Sequence, residues 1–106
     1  MSDEANKKRE ALQIRDLIAE KLNTLKGVGS TEHDSGNIFY TFGLNVPTPI
    51  ILKALGSLTD RCHDTRKPFM KPDDIDRYFM GIMRNLCKED GIKSGIGKWD
   101  DELDDE

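Results

Sequence analysis

No stretch of this chain stays apolar over anything near the roughly 20 residues needed to cross a bilayer, so the sequence predicts no membrane partner. Cysteine is scarce as well. Cys62 and Cys87 are the only two, too few for a disulfide framework, and neither belongs to a C-x-x-C pair. The two histidines, His33 and His63, lack zinc-finger spacing. No metal site is therefore expected from His33, Cys62, His63 and Cys87, and each cysteine is expected to act as a small hydrophobe on its helix. Nothing near Met1 has the apolar core of a secretory signal; with so few cysteines, this predicts a reduced, intracellular, cytoplasmic protein.

Phosphate-binding and catalytic patterns are missing too. "GVGS" and "GIKSGIGK" carry glycines, but neither is a phosphate loop: in the second, Lys98 is followed by Trp99 where a magnesium-holding hydroxyl belongs. No cofactor is expected. Asp73, Asp74 and Asp76 are the densest carboxylates of the body and His63 with Asp64 offers a base. A helix start already accounts for the aspartates, and acid/base chemistry needs paired groups in one cleft. The sequence is thus read as non-enzymatic.

What is present is charge, unevenly spread. Hydrophobic residues make up 36% of the 106 and charged ones 34%, so the apolar side chains must gather on inward faces around one modest core. That leaves little room for a large ligand cavity. Residues 98–106 hold six carboxylates against Lys98, more than the whole formal net charge of -4. The body is therefore nearly neutral and the acidity belongs to its end.

Three stretches carry a helical period. Ala11, Ile14, Ile18, Leu22 and Leu25 recur at three- and four-residue intervals, with Leu17 at the margin. Ser2 is placed to cap this first helix, Asp3 and Glu4 favour its positive end, and Gly27 and Gly29 close it. A second helix opens at "VPTP" with Thr48 as cap and Pro49 in the first turn, and runs through Ile51, Leu55, Leu58 and Cys62. Gly56 inside it suggests close helix packing. A third begins at Pro72 and ends at Gly91, with Ile75, Tyr78, Phe79, Ile82, Met83, Leu86 and Cys87 forming the widest apolar band.

Between the first two lies "STEHDSGNIFYTFGLN", rich in turn formers around a β-prone aromatic cluster. It is read as a connection whose Phe39, Tyr40 and Phe42 plug the core, with a short strand or a fourth short helix as alternatives. The expectation is an all-α domain of three to four helices over residues 1–91, the first lying across a hairpin of the other two, followed by a flexible acidic tail over 92–106. The length of the first helix also leaves open a homodimer that buries Ile14, Ile18 and Leu22.

Function is sought in two places. Trp99 and Leu103 stand four residues apart among Asp100, Asp101 and Glu102, and would share one face if the tail became helical on a protein partner. This predicts an adaptor or regulator that binds through a helical surface and its tail, with Trp99 and Leu103 as anchors. Alternatively, Arg61, Arg66, Lys67 and Lys71 around Phe69 form a loop for nucleic acid, with the tail as internal competitor. Asp60 and Asp64 dilute that loop's charge.

Overall fold

The long apolar stripe does form one helix, α1 (Ser2–Lys26), in a computed structural model that describes residues 2–30 and 32–104. The side chain of Ser2 lies outside what is described, and with it the expected cap. Ala11, Ile14, Ile18 and Leu22 are buried while residues 3–10 are exposed, so the first two turns of α1 reach beyond the core. Gly27, with φ of 80°, ends the helix. Its N–H and that of Val28 return to the Thr24 and Asn23 carbonyls at 3.1 and 2.8 Å, which satisfies acceptors that a helix end leaves open.

The aromatic connection is itself a helix, α2 (Gly36–Asn45). This corrects the preferred loop reading. Ile, Phe, Tyr and Thr favour strands as isolated residues, yet Phe39, Phe42 and Val46 fall at intervals of three and four, and all three are buried. Burial of that face against α1 outweighs the local preference. The two helices approach closely because α2 offers Gly43 at the crossing, where an added Cβ would stand 2.7 Å from the Ala11 Cα.

The next helix, α3 (Thr48–Cys62), takes its cap position from Pro47 with no side-chain hydrogen bond, so it starts one residue earlier than the Thr48 cap expected from sequence. Ile51, Ala54, Leu55 and Leu58 face inward. Gly56 marks no close approach, since a Cβ there would meet nothing within 4 Å.

The fourth helix, α4 (Pro72–Asp90), begins where Asp74 Oδ2 accepts the Lys71 N–H at 3.3 Å. It closes at Gly91, with φ of 65°, and Ile92 N–H returns to the Cys87 carbonyl at 2.8 Å. Of the seven-residue band expected here, Ile75, Phe79, Met83 and Cys87 are buried, Ile82 and Leu86 are half-buried, and Tyr78 is exposed.

Within this small all-α domain, α1 pairs chiefly with α2 and α3 with α4, while α1 also crosses α3 and α4. The first helix thus meets the hairpin directly, and the aromatic helix adds ring contacts to α4. Phe79 stands at the junction. It lies edge-on to Phe39 at 5.9 Å and to Phe42 at 6.4 Å. Ile14, Ile18 and Leu22 are buried within this core. Cys87 is buried and Cys62 half-buried, both free, and burial raises both thiols above their usual pKa.

Candidate functional site

The acidic end is where structure and sequence differ most. Residues expected to form a flexible tail contain a fifth helix, α5 (Gly97–Asp104), packed on α4. Three contacts explain it. The Trp99 ring stacks on Phe42 of α2, with centroids 5.7 Å apart and planes 19° apart. Asp100 reaches back to the turn before the helix: its Oδ1 accepts the Ser94 N–H at 2.8 Å and its Oδ2 the Gly95 N–H at 3.2 Å. Arg84 of α4 donates to both Glu102 carboxylate oxygens, through Nε to Oε2 at 3.2 Å and through Nη2 to Oε1.

Two of the six acids at this end are thus satisfied by donors, and the indole contributes apolar burial. Asp101 remains exposed and Leu103 is half-buried; Asp105 and Glu106 lie outside the described residues. The turn that carries α5 is itself fitted to α2. Gly95 has φ of 92°, and a Cβ there would come within 2.5 Å of Thr41 and Asn45 side-chain atoms. Ser94 is fully buried, its hydroxyl accepting the Ile96 N–H at 3.2 Å.

The Arg84 guanidinium, with Lys88 beyond it, holds the Glu102 carboxyl below its ordinary 4.5. A carboxylate with a lowered folded pKa contributes above its unfolded value, and that contribution is lost as pH falls through the folded one. Trp99 emission should therefore stay constant near neutrality and shift to the red only in acid below the ordinary carboxylate range. Glu102→Ala should show part of that shift at neutral pH. An emission spectrum that is flat through the acid range in the native chain would remove Glu102 as a tie.

The basic loop is folded upon itself. The Arg61 guanidinium lies 4.3 Å from the Phe69 centroid and 5.6 Å from that of Tyr78, while Phe69 meets Tyr78 edge-on at 5.6 Å. Arg61 also donates to the Lys67 carbonyl. Arg66 pairs with Asp64 at 3.2 Å, and these contacts from Arg66 lower the Asp64 pKa. Phe69 is thus half-buried with one face engaged by Arg61, whereas Arg66, Lys67 and Lys71 are exposed beside Met70, itself 91% exposed.

A third constellation escaped the sequence reading. Lys26 Nζ donates to Asp76 Oδ2 at 3.0 Å, and His33 Nε2 lies 3.1 Å from Asp76 Oδ1. The Ser35 N–H donates to His33 Nδ1 at 2.9 Å, which makes Nδ1 an acceptor and leaves the ring hydrogen on Nε2, directed at Asp76. Lys26 Nζ, 3.5 Å from Nε2, faces a second donor there, so Asp76 is what joins the two. The His33 ring rests on Phe39, centroids 4.8 Å apart. Nearby, buried Asn23 donates to the Ser30 and Glu32 carbonyls at 2.7 and 2.8 Å.

Asn23, Lys26, His33 and Asp76 line an open, polar surface cleft of about 970 Å³ together with Arg15 and Asp73. It is a surface feature, not a cavity in the core. The cluster ties the end of α1, the following loop and the start of α4. Asp76→Ala removes both its bonds and leaves the largely buried Lys26 unpaired, so a loss of about 1–3 kcal/mol is expected in urea unfolding; an unchanged midpoint would deny the cluster this role. No group of three or more metal-ligating side chains occurs among the described residues.

No protein-family model, curated protein or solved structure matches the chain.

Proposed function

We propose that the protein is a non-enzymatic interaction module, an adaptor or regulator, whose partner-facing surface is α5 with the helical body beneath it. The observation that carries this reading is the seating of Trp99 on Phe42. A half-buried indole, bordered by Asp100, Asp101 and Glu102, combines a large apolar contact with charges that set how a partner approaches this surface. Leu103 lies one turn further on. The Lys26–Asp76–His33 cluster supports the same reading, because its hydrogen bonds are directed at joining three segments of chain.

Nucleic-acid binding by the loop 61–71 is the lesser reading, since Arg61 and Phe69 are engaged with each other. The test is quantitative affinity enrichment from native extract with three full-length baits: the native chain, Trp99→Ala/Leu103→Ala, and a variant with Arg66, Lys67 and Lys71 replaced by alanine. A partner whose recovery differs at least tenfold between the first two, and is unaffected by the third, supports the proposal. Identical recoveries from all three baits would overturn it.

A further inference from the structure

The surface under α5 has the makings of a receptor. Phe42 supplies one aromatic face, and Arg84 on α4 supplies a guanidinium that grips a carboxylate through two donors. Lys88, four residues further along α4, continues the cationic row on the same helix face. The occupant must then carry an aromatic ring followed one turn later by a carboxylate, as Trp99 and Glu102 do.

We propose that this seat is a docking groove for an acidic, aromatic-anchored helix of a partner protein, and that α5 fills it in cis as a displaceable plug. The proposal rests on the interaction-module reading and assigns the receptor role to the body and the competitor role to α5.

Three observations favour displacement. With eight residues, α5 is shorter than helices that persist alone in water, so it depends on its seat. Its ionic tie is solvent-exposed, with Arg84 and Glu102 side chains 50% and 34% accessible, and such pairs hold weakly. Its acids, finally, continue toward the C-terminal end of the helix, where the helix dipole disfavours negative charge. A partner helix of the same pattern with additional contacts meets none of these limits.

A second copy of the chain is a poorer occupant. Its α5 would bring the contacts already present, in competition with a tethered copy whose effective concentration is on the order of millimolar. Exchange between copies therefore gains nothing, whereas a longer foreign helix does.

The test uses full-length chains and a fluorescein-labelled peptide of residues 95–106 as probe, followed by anisotropy. Trp99→Ala weakens the resident plug and leaves Phe42, Arg84 and Lys88 in place, so the probe should bind this variant at least tenfold more tightly than the native chain. Glu102→Ala, which loosens α5 without touching the aromatic stack, should shift affinity in the same direction. Adding Arg84→Glu to Trp99→Ala, or replacing the probe's tryptophan by alanine, should abolish binding.

Equal affinity for native and Trp99→Ala chains, or no binding to a Trp99→Ala chain that keeps its helical circular dichroism and cooperative melting, would overturn the groove. So would a native dimer that Trp99→Ala dissolves, because the occupant would then be a second copy. Failure of the module reading looks different. In the enrichment experiment a partner gained on Trp99→Ala/Leu103→Ala supports the groove, one lost supports the module with α5 itself as the recognised element, and no change sinks the module reading.

Discussion

Phe79→Ala is expected to lower stability by about 3–5 kcal/mol, the largest effect of any single truncation considered. Phe79 is fully buried, and its ring meets both buried phenylalanines of α2. Its removal deletes a large apolar surface, leaves a cavity between two helix pairs, and breaks two edge-on ring contacts. Domains of this size have total stabilities of roughly 5–15 kcal/mol, so the variant should be near its threshold at 37 °C. Urea unfolding monitored by circular dichroism measures the loss. Because Phe42 joins Phe79 to Trp99, tryptophan emission should change as well. A loss under about 1 kcal/mol would mean that the helix pairs do not depend on this junction.

The second large effect comes from a pair of glycines that look alike in sequence and have opposite surroundings. Alanine in place of helical glycine normally gains up to about 1 kcal/mol. At Gly56 the added methyl meets nothing within 4 Å, so Gly56→Ala should stabilise by about that amount. At Gly43 the same methyl would lie 2.7 Å from the Ala11 Cα and 2.9 Å from its carbonyl oxygen. Those are backbone atoms that no rotamer change can move aside, so α1 and α2 must separate along their shared apolar face. The overpacking penalty of about 1–3 kcal/mol or more exceeds the propensity gain. Gly43→Ala should therefore melt several degrees below the native chain and Gly56→Ala several degrees above it. Shifts of the same sign would mean that the α1–α2 crossing is looser than the distances imply.

How legible all this is in the residues depends on the range over which each feature is decided. The apolar faces of α1, α3 and α4 are local patterns, and Ala11 to Leu22, Ile51 to Leu58 and Ile75 to Cys87 turn inward as their spacing requires. The exposure of Leu17, at 40%, matches its place at the edge of the stripe. For α2, residue preference and residue spacing pointed to different structures, and the α1 face decided between them. For α5, six carboxylates dominated the reading, while the compensating donors came from Ser94, Gly95 and Arg84. The four-residue spacing of Trp99 and Leu103 is compatible with the helix that forms there.

The least legible feature is the Lys26–His33–Asp76 cluster. Each residue has an ordinary explanation in its own segment: a basic helix end, a polar loop and an acidic helix start. Only the fold joins positions 43 and 50 residues apart. The loop 61–71 falls between these cases. Its composition marks it as basic, but the stacking of Arg61 on Phe69 depends on how the chain turns between α3 and α4.

By itself, the sequence determined an all-α chain with three amphipathic helices, glycine stops at Gly27 and Gly91, and an acidic end bearing the single tryptophan. These follow from periodicity, capping and composition, which act within a few turns of helix. Tertiary structure alone decided that the aromatic connection is a helix, that Gly43 is tight and Gly56 open, and that Trp99 is seated on Phe42. The reason is physical: a helix period is set by neighbours along the chain, whereas burial, close approach and charge pairing are set by neighbours in space.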